Sequence, residues 1–453
     1  MSDYDPHTRL ALFPDSAEIE PVTGGLLSTS PQTGDARLTI AGCDLGALAG
    51  SYGTPLYLYD LATMDAAVAE YRQALYRCYA GPAGITYAGK AFLCVATAQW
   101  VQRRGLWLDC TGVGELRVAA GAGVQREQIV VHGVNKSQED VDAALVQAGT
   151  IVVDSLGEVE KLARLFQNGS TRPSPKLWLR VRPGLAVATH AHTQTGQKDS
   201  KFGMGWQEAT EAIRLCLHHA LPVTGLHFHQ GSHFHDPQPL GPAIDSTLDL
   251  VAALHAEQGW LPRVICPGGG WGIAYHQDEL PHPPIVDYVR HISERLSAGC
   301  HSRGLPLPQL QLEPGRSIVG RGGVALYRVG AVKHASGRRW LLLDGGLADN
   351  PRRALYGARY SALPVKDPLR RDSGPAWLGG PFCESGDILI EELALPDIQP
   401  GELIAVPVSG AYQLSMASNY NGARKPAVLW LVQGEAYLVQ ERETLDDLVR
   451  RDR

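Results

Sequence analysis

What this 453-residue chain lacks narrows it first. It has no basic excess: 41 Lys and Arg stand against 47 Asp and Glu, a formal charge of -6. A nucleic-acid partner would leave a basic footprint, so we expect none. It has no apolar run near the ~18 residues of a membrane-spanning helix, and we expect no membrane partner. Its first 21 residues hold acids, Pro and His but no basic stretch leading into an apolar core. We therefore expect no secretory signal and a cytoplasmic location. The eight cysteines, at 43, 78, 94, 110, 216, 266, 300 and 383, include no Cys-x-x-Cys pair. That argues against a disulfide scaffold and against a zinc site, so we expect free buried thiols and no metal. Cys383 is taken up below.

What is present describes an ordinary globular protein, 44% apolar and 19% charged. Residues 1–35 are polar and rich in Pro, Gly, Ser and Thr, and read as a mobile arm. Residues 36–58 read as a strand region, with an edge strand near Arg37 to Ile40 joining a later β domain. Residues 59–316 have a rhythm. Short apolar runs recur at 85–87, 106–108, 129–131, 151–153, 177–179, 225–228, 264–266 and 310–312. Between them lie amphipathic stretches such as 138–148, 156–166, 207–219 and 285–296. This alternation implies parallel strands linked by helices. Eight such units close into a (β/α)8 TIM-like barrel. An open doubly wound sheet is the other solution, but no Gly-x-Gly-x-x-Gly follows the first strand. In residues 317–453 the runs 324–332, 339–343, 401–408 and 427–439 are β-rich without helical spacers. They read as a mostly antiparallel C-terminal β domain, with Thr444 capping a terminal helix.

The active site of such a barrel lies at the C-terminal ends of its strands. Lys90 follows the first run, Asp109 the second, His132 the third and Asp154 the fourth. Arg180 and Arg182 end the fifth, and His229 and Ser232 follow the sixth. Gly268-Gly269-Gly270 follow the seventh, and Glu313 and Arg316 the eighth. Each has a plain reading: Lys90 as a snorkelling surface lysine, His229 as a core histidine, the glycines as a turn, Glu313 as a turn cap. In one ring they suggest more. A lysine between apolar strand and helix can have its pKa lowered toward a nucleophilic amine, as Schiff-base chemistry requires. Three glycines with Ser232 can cradle a phosphate. A carboxylate such as Glu313, facing a pyridine nitrogen, keeps it protonated. His227, His229, His233 and His235 raise the thought of a metal, but no carboxylate sits at ligand spacing.

The blocks Tyr87-Ala88-Gly89-Lys90-Ala91, His132-Gly133-Val134-Asn135-Lys136-Ser137, Ser200-Lys201-Phe202-Gly203 and His227-Phe228-His229-Gln230-Gly231-Ser232 stand in order along the chain. They are followed by the triple glycine, Glu313-Pro314-Gly315-Arg316, Ala354-Leu355-Tyr356-Gly357, Cys383-Glu384-Ser385-Gly386-Asp387 and Gly410-Ala411-Tyr412. Together they resemble the fold-type III pyridoxal-phosphate decarboxylases, and most closely the diaminopimelate decarboxylases. The resemblance runs from about Gly53 to the C-terminus. It implies a pyridoxal 5'-phosphate cofactor joined to Lys90, with His229 stacked on its ring and Glu313 on its nitrogen. Ser232, Gly268, Gly269, Gly270, Gly315, Arg316 and Tyr412 would hold cofactor and phosphate. Arg316, Arg352, Tyr356, Glu384 and Tyr412 would bind an amino-acid substrate, and Cys383 would return a proton after CO2 leaves. In that family the residues matching Cys383 and Glu384 serve the other subunit's site, which implies a homodimer. Meso-2,6-diaminopimelate has an amino-acid head at each end. Arg316 and Arg352 suit its distal carboxylate, and Glu384 its distal ammonium.

The chain also departs from the family pattern. Cys110-Thr111-Gly112-Val113 precedes Glu115 where a Val-Ser-Gly-Gly-like stretch is usual. Gln230 replaces an apolar residue and Arg353 a proline. The loop at 190–197, expected to cover the substrate, lacks its usual aromatic. A decarboxylase of the ornithine, lysine or arginine type therefore stays open. So does a racemase on the same fold, although a racemase pairs the ring nitrogen with a cation rather than an acid. A non-catalytic carrier of the cofactor fits less well, since such proteins tend to be a lone barrel.

Overall fold

Eight apolar runs buried on both faces become eight parallel strands, as the periodicity predicts. They are β1 (Ala83–Ala88), β2 (Trp107–Thr111), β3 (Ile129–His132), β4 (Thr150–Val153), β5 (Lys176–Arg180), β6 (Val223–His227), β7 (Val264–Gly268) and β8 (Gln309–Leu312). In the computed structural model, which describes residues 4–21, 36–167, 174–184 and 200–453, they close in the order β6-β7-β8-β1-β2-β3-β4-β5. Closure rules out the open sheet. The intervening helices include Gln138–Gln147, Leu156–Gln167, Trp206–His218 and Ile285–Ser302, all at expected places. Local signals start them. Ser137 accepts from the Asp140 amide at 3.1 Å, and Asp140 answers with its own carboxylate, forming a capping box. The barrel is filled rather than hollow: Val130, Val152, Trp178, Val264 and Cys266 pack together, with Trp107 stacked on Trp178 at 6.1 Å. Because all eight strands run the same way, their C-terminal ends share one rim.

The chain divides into two compact units. The barrel unit is Val68–Gly272 with Pro283–Ser317; the other takes Met1–Ala67, Ile273–His282 and Ile318–Arg453. The segment Ile273–His282, inside the span first given to the barrel, thus groups with the β unit. That unit's sheet is built on the long strand Gly323–Ala335, antiparallel to Leu56–Asp60, Arg338–Leu343 and Leu403–Val406. Two pairings are parallel, Leu56–Asp60 with Ala427–Val432 and Arg338–Leu343 with Asp372–Gly379, so the sheet is mixed. The run 427–439 is a hairpin of Ala427–Val432 and Glu435–Gln440 turning at Gln433 and Gly434, both with positive φ. Thr444 caps the last helix, Leu445–Val449.

The N-terminal segment differs from a mobile arm where it is described. A helix, Pro6–Leu10, capped by Asp5, leads to a strand, Ala17–Pro21, that pairs antiparallel with Ala36–Ile40. The cause is a minority of apolar side chains: Leu12 and Phe13 are buried, and Phe13 joins Leu38 and Ile40 in the core. Residues 22–35 lie outside the described residues. The strand near Arg37 forms a separate three-stranded sheet with Ala17–Pro21 and Cys43–Asp44 and meets 365–367 through an isolated antiparallel bridge, the Leu38 amide donating to Val365 O at 2.9 Å and the Asp367 amide to Ala36 O at 2.6 Å. All eight cysteines are free; Cys78 is half-buried and only Cys383 is exposed. No helix among the described residues is long and apolar enough to cross a membrane.

Candidate active site

Glu313, the first residue after β8, is the hub of the barrel's rim. Its Oε1 lies 3.0 Å from His132 Nε2 at the end of β3. Its Oε2 lies 2.9 Å from His227 Nε2 at the end of β6. The two imidazoles meet edge to face with centroids 4.8 Å apart. Burial works to raise the Glu313 carboxyl, but His227 and His132 outweigh it and hold it well below the usual carboxylate range. Burial also pushes His227 down to about 4 against the pull of Glu313, so at neutral pH that ring is neutral. Asp109 on β2 stands 3.8 Å from His132 Nε2; its own carboxyl is raised by burial, with His132 opposing. Arg180, at the end of β5, has Asp154 Oδ1 at 3.9 Å from its Nε.

Lys90 sits in a single 3-10 turn, Gly89–Ala91, directly after β1. It is exposed rather than enclosed between strand and helix. Its charge acts on Asp109, Glu115 and His229. Glu115, half-buried and close to Asp109, is raised to about 7 by burial and accepts from the Thr111 amide. Burial, then Lys90, hold the His229 imidazole well below its ordinary value. By contrast Lys136, another lysine in a family-like block, is used up: its Nζ reaches Gly133 O, Val152 O and Glu158 Oε1 at 2.7–2.9 Å.

The triple glycine has no room for side chains. A Cβ at Gly269 would fall 2.0 Å from Glu313 O, and one at Gly270 2.3 Å from Gly231 O. Gly268 and Gly270 also have positive φ. A Cβ at Gly315 would come within 2.9 Å of Ala91 Cβ, and the Ala88 amide donates to Pro314 O at 3.1 Å. The Glu313-to-Arg316 turn is thereby locked onto the segment carrying Lys90. Arg316 Nη2 donates to Ser232 Oγ at 3.0 Å. A guanidinium, a hydroxyl and glycine backbone amides thus meet in one cluster, a donor set that suits a phosphate. A lysine amine and an ionised buried carboxylate on the same rim suit the aldehyde and ring nitrogen of a pyridoxal.

In the other unit, Arg352 opens the helix Arg352–Tyr356 and is 5% exposed. Its Nη1 donates to Tyr360 Oη at 2.9 Å, and its guanidinium lies 4.4 Å from the Tyr275 ring centroid. Burial works against its charge, but Tyr275 and Tyr360 more than compensate and raise its pKa. Its Nε has no partner, and among the described residues no carboxylate pairs with it. Tyr356 closes the same helix; Tyr412 is half-buried at φ +62. Cys383 and Glu384 stand on an exposed loop. The Cys383 amide donates to Asn421 Oδ1 at 2.9 Å, and buried Asp387 receives the Phe382 amide at 2.9 Å.

The structure therefore brings Lys90, His229, Ser232, Gly268, Gly269, Gly270, Glu313, Gly315 and Arg316 to one rim. Arg352, Tyr356, Tyr412, Cys383 and Glu384 belong to the β unit. The loop at 190–197 lies outside the described residues. The sequence reading did not give His132 and His227 their place on Glu313, nor Tyr275 and Tyr360 theirs around Arg352. The only signal for the histidines was their position closing two apolar strands. The carboxylate absent at ligand spacing along the sequence is supplied in space. Glu313, on a distant strand, brings one ligand atom each from His132, His227 and itself within 4.8 Å. Of the departures, Arg353 is taken up by Glu391 at 2.7 Å.

The family model "Pyridoxal-dependent decarboxylase, pyridoxal binding domain" matches residues 61–320. The chain belongs to the pyridoxal-dependent decarboxylases. Pyridoxal phosphate is accordingly its cofactor. Among relatives, the diaminopimelate decarboxylase of Bacillus subtilis (strain 168) is 38% identical over 435 residues, 94% of this chain and 98% of that one. That of Mycobacterium tuberculosis (strain H37Rv) is 38% identical over 426 residues, 90% and 93%. Among solved structures, diaminopimelate decarboxylase from M. jannaschii in complex with L-lysine superposes with a TM-score of 0.85 at 27% identity, covering 97% and 98%. The Helicobacter pylori enzyme complexed with L-lysine gives 0.80 at 29%, covering 89% and 98%. This decarboxylase thus matches them across barrel and β unit alike.

Proposed function

We propose that this decarboxylase converts meso-2,6-diaminopimelate to L-lysine and CO2, the last step of lysine biosynthesis, in the cytoplasm. The observation that carries the substrate is Arg352. A buried guanidinium surrounded by phenols, without a carboxylate partner among the described residues, is a built site for an incoming anion. A substrate with a second carboxylate supplies one; ornithine, lysine and arginine do not. The names and near-complete coverage of the relatives support the same reading.

Pyridoxal phosphate, when bound, supplies an aldehyde that captures an amino group and a protonated ring that accepts the electron pair left as CO2 departs. The residues divide that work. Lys90 offers the amine for covalent attachment. Ser232, Gly268 to Gly270, Gly315, Arg316 and Tyr412 hold the phosphate end. Glu313, kept ionised, would hold the proton on the ring nitrogen, and His229 would lie against the ring face. Arg316, Arg352, Tyr356 and Tyr412 receive the substrate, Glu384 its distal ammonium. Cys383 delivers the proton that replaces CO2. An exposed cysteine and glutamate on one loop suit service to a second copy's site, and we assign the working form to a homodimer.

A parallel assay of CO2 and product across diaminopimelate, lysine, ornithine and arginine tests this. Lysine formed from diaminopimelate, with the other three turned over far more slowly, is the expected result. Preference for ornithine or arginine would overturn the substrate. Inversion of configuration without CO2 release would overturn the reaction.

A further inference from the structure

We infer that His132 and His227 act as a two-sided clamp that fixes the Glu313 carboxylate and holds it ionised toward the cofactor ring; both are positioning residues. This rests on the reading above that Glu313 faces the ring nitrogen. The geometry is specific. Each histidine points Nε2 at a different oxygen, at 3.0 and 2.9 Å, from strands on either side of β8's end in the closed ring. Because an ionised carboxylate can only accept, both contacts are N–H donations, which fixes Nε2 as the protonated nitrogen of each ring. His227 leaves its Nδ1 buried without a partner, so its one N–H is spent on Glu313. Two charge-assisted bonds from opposite sides remove the carboxylate's rotational freedom. Other groups at this centre include Asp109, 3.8 Å from His132 Nε2, the Cys266 thiol on β7, Arg180 and the His229 imidazole.

The same three side chains could also be taken for metal ligands, since their ligand atoms lie within 4.8 Å of one another. Hydrogen-bond lengths and a net demand for an anion opposite the ring favour the clamp.

The consequence is electronic. Without the donors Glu313 titrates closer to neutrality, and each pKa unit lost changes the ring nitrogen's proton occupancy tenfold wherever it is not saturated. The test uses holoenzyme loaded with cofactor labelled with 15N in the ring. In wild type the 15N resonance is that of a pyridinium. In His132→Leu and His227→Leu it moves toward neutral pyridine, kcat falls about tenfold or more, and KM changes little. Glutamine places an N–H donor near the Nε2 position, so His132→Gln and His227→Gln restore most of both signals and control for folding. Leucine variants with unchanged resonance and kcat, or glutamine variants as impaired as the leucines, overturn the clamp. So does stoichiometric zinc in the protein before loading that leaves as cofactor enters. Glu313→Gln separates the two readings. If it moves the resonance while the histidine variants do not, the clamp fails and the Glu313 assignment stands; if it too leaves the resonance unmoved, the assignment itself fails.

Discussion

A guanidinium among phenols keeps its charge through cation–π contact and one hydrogen bond, yet these leave Arg352 Nε with no partner. Arg352→Lys keeps the charge and discards the fork that grips a carboxylate in two places. We expect kcat/KM for diaminopimelate to fall by about 10–100-fold, the value of a charged hydrogen bond, mostly through KM. A fall confined to kcat would place Arg352 elsewhere in the cycle. His227 makes a pH prediction. Its folded pKa, about 4, lies below the ordinary 6.5, so between those values the unfolded chain binds the extra proton. Stability therefore declines as pH falls through that window. Glu313, held well below the usual carboxylate range in the folded state, loses most of its contribution below this window. Asp349 and Glu115, raised to about 6 and about 7 by burial, titrate there in wild type and variant alike. Denaturant unfolding of the cofactor-free protein should thus show His227→Gln gaining about 1–2 kcal/mol on wild type between pH 6.5 and 5; a constant difference would refute it. At this scale the sequence was most legible where a residue directly follows a strand, as with Lys90 and Glu313. Partners such as Tyr360 around Arg352 come from chain folded back, and no spacing announces them.

Glycine shows how an element tolerates change. Gly269, between β7 and the turn after β8, would drive a Cβ into Glu313's own backbone, at 2.0 Å from O and 2.8 Å from C. Backbone cannot rotate aside, so Gly269→Ala should destabilise by about 2–4 kcal/mol and release cofactor on dilution. Gly157, inside the helix Leu156–Gln167, has nothing within 4 Å of its would-be Cβ. Gly157→Ala should stabilise by roughly 0.5–1 kcal/mol. Thermal unfolding of the pair checks both signs; a stable Gly269→Ala with full cofactor would contradict the packing described. Elements with an unbroken apolar run were readable at their true places, since barrel strands are buried on both faces. Asp372–Gly379 and Ile388–Pro396 were not. Asp372, Ser373, Gly374 and Pro375 are turn-type residues, and the pairing of these two strands slips register three times. Turn-type residues in one strand and slipped register between the two erase the period-2 signal.

At the level of the whole molecule, Lys90 belongs to one compact unit and Cys383 to the other. The barrel was legible because closure follows from eight repeats of one pattern. The described part of the N-terminal segment was not, because two buried side chains, Leu12 and Phe13, outweigh a polar composition. Which polypeptide supplies Cys383 to a given Lys90 follows from neither pattern, but subunit mixing decides it. Lys90→Ala and Cys383→Ala are each expected to be inactive alone. If each site draws the two residues from different chains, a mixed dimer has one doubly damaged site and one with both residues intact. Random reassortment makes half the dimers mixed, so an equimolar mixture should recover about a quarter of wild-type activity. If each chain supplies both of its own residues, no combination restores a site, and the mixture stays as inactive as its components. Tagging the two variants differently and isolating the mixed dimer raises the expected recovery to about half.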